Sequence, residues 1–106
     1  MSSSVCIELE NITGDTKDGA WTIPGTRRTW IYPEDINDFE EALINAGCSQ
    51  TDEDSDSSEY TVQVSQRGES PYEALRNRLK ESGYGALLPP LPAGFEQADC
   101  TITLYY

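Results

Sequence analysis

Histidine is absent from this 106-residue chain. Its absence removes the Ser–His and Cys–His nucleophile pairs and the most frequent general base and metal ligand. Positive charge is scarce: seven Lys and Arg stand against nineteen Asp and Glu, for a formal charge of −12 and a pI near 4.1. Such a balance argues against direct binding to nucleic acid or to anionic membranes. Cysteine is limited to Cys6, Cys48 and Cys100, an odd number at wide spacing with no CxxC. A zinc site is therefore not expected, and the simplest reading is three reduced, largely buried thiols. No apolar run approaches a membrane span. The Met1-Ser2-Ser3-Ser4-Val5-Cys6 start has neither the basic nor the apolar region of a signal peptide. Host bacterial cytoplasm is the expected compartment. No glycine-rich phosphate loop occurs, since Gly83-Tyr84-Gly85 lacks both the spacing and the lysine.

What is abundant is carboxylate, and it is clumped. Residues 34–59 hold ten: Glu34, Asp35, Asp38, Glu40, Glu41, Asp52, Glu53, Asp54, Asp56 and Glu59. No basic residue lies between Arg28 and Arg67. A one-sided field repels itself and weakens a fold. Its presence suggests a positive partner, and nucleic-acid-binding grooves are the commonest large positive surfaces in a cell.

Length and apolar content fit one domain with a modest core. Val5–Glu10 alternates like a half-buried strand, and Asn11–Gly19 reads as a turn or short loop. Ala20–Ile23 and Arg28–Tyr32 read as strands of a hairpin that turns near Pro24–Thr26. Pro33 is expected to open a helix whose buried stripe is Ile36, Phe39, Leu43 and Ala46, and which stops at Gly47. Glu34, Asp38 and Glu41 would then line one exposed ridge. Residues 49–58 read as an acidic mobile loop, followed by a strand over Glu59–Gln66. Ser70 is the expected N-cap of a second helix, with Tyr72, Leu75 and Leu79 inward and Arg76, Arg78 and Lys80 outward. Leu87, Leu88, Leu91 and Phe95 should fold back on the core, and Cys100–Tyr106 should close the chain as a strand. The expectation is an α+β fold in the order β-β-β-α-β-α-β, an antiparallel sheet of about four to five strands carrying two helices.

The acids admit two chemical readings. With nineteen carboxylates any glycosidase-like pair is expected by chance, and so short a chain has little room for a sugar cleft. Asp52, Asp54 and Asp56 match the first ligand positions of an EF-hand loop, but Ser57 stands where glycine is needed and Gln63 where the bidentate Glu belongs. No catalytic residue, metal or cofactor is assigned. A halophilic surface would spread its acids, whereas these are clumped and the second helix is basic; a merely solvated acidic stretch is the other bland reading. Trp21, Trp30 and Tyr60 read as core or cross-strand pairs, and Tyr105-Tyr106 as the packed end of a strand, with an exposed contact patch as the alternative.

Val5-Cys6-Ile7, Gly14 with Gly19-Ala20-Trp21, and the acidic Asp38-Phe39-Glu40-Glu41 together resemble the ArdA antirestriction proteins of conjugative elements and phages. Tyr72-Glu73-Ala74 with Glu81-Ser82-Gly83 is similar to a later helix of that family. The chain is shorter than the family norm and carries Gly25–Pro33 as an insertion. The resemblance implies a DNA mimic that blocks restriction enzymes. Small acidic anti-CRISPR proteins imply the related role of blocking guide or target-DNA grooves. The expected function is a non-enzymatic inhibitor whose ten carboxylates stand in for phosphates in the basic groove of a host defence complex, with a homodimer also possible. The alternative is an immunity protein or antitoxin that neutralises a basic nuclease toxin.

Overall fold

A computed structural model describes residues 3–16, 19–23, 25–65, 70–81, 83–84, 88 and 95–106. The elements are β1 (Ser4–Thr16), β2 (Gly19–Ile23), β3 (Arg27–Ile31), α1 (Ile36–Asn45), β4 (Ser49–Glu53), β5 (Ser57–Ser65), α2 (Pro71–Glu81) and β6 (Phe95–Tyr105). The class is α+β, as expected, but the sheet has six strands and the order is β-β-β-α-β-β-α-β. All pairings are antiparallel, and the sheet runs β2-β1-β6-β5-β4, with β3 also paired to β1.

The extra strand comes from residues 49–58. They form an edge strand and the turn into β5, not a loop. Every residue of β4 is exposed, so no apolar alternation marks it; backbone pairing to β5 is what holds it. Asp54 and Ser57 exchange backbone hydrogen bonds of 2.7 and 3.4 Å across the turn.

The N-terminal strands also differ from expectation. β2 and β3 do not pair with each other. Both pair with β1, β2 along Ile12–Thr16 and β3 along Val5–Leu9, so together they make one interrupted edge. Gly25, at φ 87°, lies in the interruption; a chain that bulges there continues along β1 instead of reversing. β1 itself runs through the stretch read as a turn. Asn11 takes φ 52°, a left-handed conformation that Asn tolerates, and the register against β6 shifts beside it. Past that bulge Ile12 points into the core beside Leu9.

Both helices have legible ends. α1 begins one turn of chain later than Pro33 suggested: Asp35 is the N-cap, and its carboxylate accepts from the Asn37 and Asp38 amides at 3.1 Å. At its end Gly47 (φ 89°) donates to Ile44 O and Cys48 to Leu43 O, a Schellman stop. α2 starts as expected, with Ser70 Oγ accepting from the Glu73 amide at 3.2 Å. Gly83 and Tyr84 close it by the same pair of bonds, to Lys80 O and Leu79 O.

One face of the sheet is covered. Val5, Ile7, Leu9, Tyr60, Val62, Val64, Ala98, Cys100, Ile102 and Leu104 meet Ile36, Phe39, Leu43, Tyr72, Leu75 and Leu79 there. Phe39 meets Tyr84 edge-on at 5.8 Å. Leu88 and Phe95 join this core, whereas Leu87 and Leu91 lie outside the described residues. Among the described residues no helix is long and apolar enough to cross a membrane.

Candidate functional site

The fold divides the ten carboxylates among three places. Asp38 and Glu41 are exposed on α1, three residues apart and so on neighbouring turns of one face. Glu34 precedes the helix instead of extending its ridge, and Asp35 is engaged in capping. The ridge therefore has two members, not three. It is also not isolated from positive charge: Asp38, Glu41 and Asn45 share a shallow depression of about 130 Å³ with Arg78 of α2.

A second group gathers at the corner where α1, β5 and the chain end meet. Glu40 is half-buried, and its Oε2 accepts from the hydroxyls of Tyr60 at 2.7 Å and Tyr106 at 2.6 Å. The Tyr106 hydroxyl also lies 2.7 Å from Ser58 Oγ, and its backbone amide donates to Asp56 O at 3.1 Å. Burial, and then the hydrogen bond to Glu40, push both tyrosine hydroxyls above their ordinary range; the charge on Glu53 adds to this. Glu40 is thus a structural acceptor that holds Tyr60 and Tyr106. Glu53 and Asp56 belong to the same corner.

The third group is the β4–β5 hairpin. Asp52 lies opposite Glu59, and the Thr51 hydroxyl donates to Glu59 Oε1 at 2.9 Å. Asp54 Oδ1 accepts from the Ser55 amide at 2.7 Å, and Asp52 Oδ1 from the Glu53 amide at 2.9 Å. Each of these bonds reaches only the amide of the next residue, and both carboxylates remain exposed. Among the described residues no group of three or more potential ligands converges as a metal site. A strand-to-strand turn does not wrap its carboxylates around one point as a calcium loop must.

None of the ten carboxylates makes an ion pair within 4 Å among the described residues; the pair found there is Glu8–Arg28, at 3.4 Å. Among the described residues the acidic field thus has Arg78 near its helix part but no ion pair within it.

Of the other face of the sheet, sequence reasoning offered only Tyr105-Tyr106 as a candidate contact patch and missed the rest. Residues alternate, so Cys6, Glu8 and Glu10 of β1 point away from the helices, with Asp99, Thr101 and Thr103 of β6 and Glu59 and Thr61 of β5 beside them. Trp30 and Tyr105 lie on this helix-free face, half exposed, with ring centroids 5.8 Å apart. They meet across β1 because its residues there, Ser4 and Cys6, are small. Cys6, the direct partner of Trp30, is buried, and burial and then Glu8 raise its thiol pKa. Tyr32, just beyond β3, is exposed as well. An open depression of about 500 Å³ does not belong to this face, since Gly47 and Pro71 at the helix ends line it together with Val62 and Cys100 of the covered face. The signal was present in the alternation of Arg28-Thr29-Trp30-Ile31-Tyr32, where only Ile31 goes inside.

No family model, curated protein or solved structure matches the chain.

Proposed function

We propose that this protein is a non-enzymatic inhibitor that occupies the basic nucleic-acid-binding groove of another protein, its carboxylates taking the place of phosphates. The observation that carries this reading is the unpaired acidic surface of α1 and the β4–β5 hairpin. The acids of the 34–59 window make no ion pair with any described basic residue. Asp38 and Glu41 stand about 5–6 Å apart at their Cβ atoms, as helical neighbours do, a spacing comparable to that of phosphates along a strand. Pairing of β4 with β5 orders the hairpin backbone before docking, so less ordering entropy is lost there than on a free loop. Residues 49–58, expected as a mobile loop, are paired as a strand and turn, so the helix and the hairpin enter the reading on equal terms. Phage or mobile-element origin, with a restriction or CRISPR complex as target, is the biological setting that this chemistry and the ArdA-like residues suggest.

The test is capture followed by competition. Immobilised protein is exposed to bacterial lysate at low ionic strength and eluted with NaCl. Nucleic-acid-binding proteins should elute, should be displaced by duplex DNA or RNA, and should titrate stoichiometrically. On-rates should fall steeply as salt rises. Partners that hold on at high salt, or that nucleic acid fails to displace, would rule the reading out. If the captured protein is a free nuclease toxin whose catalytic groove is covered, the immunity-protein alternative replaces the defence-complex reading.

A further inference from the structure

The helix-free face of the sheet combines two features that the acidic window alone does not explain. One is the Trp30–Tyr105 pair, left half exposed with its rings in contact. The other is the charge around it. The register places Trp30, Cys6, Thr103, Glu59 and Asp52 in one row across the sheet. Glu8 is the diagonal neighbour of Trp30, and Glu59 that of Tyr105, each within about 7–8 Å at the backbone. Glu10 and Asp99 extend the acidic side, and Arg28 is the one basic residue described on the face.

We propose that this face is a docking surface for an arginine-bearing segment of a cationic protein partner, with Trp30 and Tyr105 as the platform for a guanidinium and Glu8 and Glu59 as its flanking carboxylates. The proposal rests on the reading of the protein as a ligand of basic grooves, and it names where such a groove would touch. Charge complementarity selects the occupant. Stacked aromatics also bind unpaired bases, but those sites are basic, and this face is acidic. A second copy of the chain would bring the same acids against themselves at a formal charge of −12 each. A guanidinium satisfies both features at once. It is planar, weakly hydrated, stacks on indole and phenol rings, and donates to carboxylates in a fork that an ammonium cannot reproduce. The surface already holds one example, since Arg28 pairs with Glu8 at 3.4 Å beside Trp30.

The experiment uses Trp21→Phe, which leaves Trp30 as the only tryptophan. Nona-arginine and nona-lysine peptides are titrated at low ionic strength, with Trp30 fluorescence and amide NMR shifts as readouts. Nona-arginine should quench Trp30, shift amides of β1, β3 and β6, and bind about tenfold tighter than nona-lysine. Trp30→Leu keeps an apolar cover over Cys6 and should abolish that preference, whereas Asp38→Asn with Glu41→Gln should leave it intact. Equal binding of the two peptides, or shifts confined to α1 and the hairpin turn, overturns the proposal. So does Trp30 emission that changes with protein concentration alone, which would mean that a second copy covers the face. Arginine selectivity without displacement of any nucleic-acid-binding protein would leave this inference standing and remove the broader reading. Displacement that Trp30→Leu does not weaken, with no arginine preference, would do the reverse.

Discussion

The two faces of one sheet carry opposite chemistry on alternate residues of the same strands. On β6, Ala98, Cys100, Ile102 and Leu104 are buried under the helices, while Asp99, Thr101, Thr103 and Tyr105 point away from them. The covered face is where stability resides, because that is where apolar surface leaves water. The open face has little such burial to offer except at Trp30 and Tyr105. A polar face with one exposed aromatic pair is free to be selected for contact instead of folding. On the proposed reading, clumped charge in the sequence marks only part of the recognition surface. The rest is assembled from strands that lie far apart along the chain.

The sharpest way to break this comparison is to truncate neighbours on β6. Ile102→Ala removes a fully buried side chain and should cost about 2–5 kcal/mol. Thr101→Ala, one residue away on the open face, should cost about 1 kcal/mol or less. Urea unfolding measures both, and equal losses would mean that the open face is covered in solution.

Alkaline pH should act through the covered face. Burial raises Cys100 from 9.0 to about 12 and Cys48 from 9.0 to about 11, and pushes up Tyr60 and Tyr72 as well. These are acids whose folded values lie above their unfolded ones. Their contribution is complete below the unfolded value and is lost as pH rises toward the folded one, because the unfolded chain releases its protons first. Above pH 9 stability should fall by about 1.4 kcal/mol per pH unit for each proton so withheld. Cys100→Val, which keeps an apolar group in place, should make the slope shallower in urea titrations at pH 7 to 10. A slope unchanged by that substitution would place the alkaline sensitivity elsewhere.

Glu40 sharpens the comparison from within the acidic window. Glu40→Ala deprives the Tyr60 and Tyr106 hydroxyls of their shared acceptor and should cost about 1–3 kcal/mol. Glu41→Ala, exposed on the next position of the helix, should be near neutral. Loss of exchange protection at the Tyr106 amide, which bonds Asp56 O, would accompany the first and not the second. The smallest effect belongs to the open-face ion pair. A double-mutant cycle on Arg28→Gln and Glu8→Gln should give about 0–1 kcal/mol, declining with salt, because the arginine is largely exposed.

Local chemistry made the helices legible from the chain alone. Ile36, Phe39 and Leu43 recur at helical spacing, Ser70 caps α2, and Gly47 and Gly83 stop their helices in left-handed conformations that only glycine adopts cheaply. Charge content and its clumping, and the absence of histidine chemistry, are likewise properties of the chain. Pairing is not. β4 has five exposed polar residues and no alternation, and becomes a strand only because β5 offers it backbone partners. β6, the last strand, inserts between β1 and β5, so the central pairs join residues such as Val5 and Leu104 from opposite ends of the chain. No local pattern encodes that closure. Helical spacing already put Asp38 and Glu41 outside, but tertiary structure alone decided that Glu40 would serve as an internal acceptor and that Trp30 would meet Tyr105 over the small side chains of β1. A carboxylate or a ring has the same composition wherever it stands; its role depends on which hydroxyls, strands and solvent surround it once distant segments are packed together.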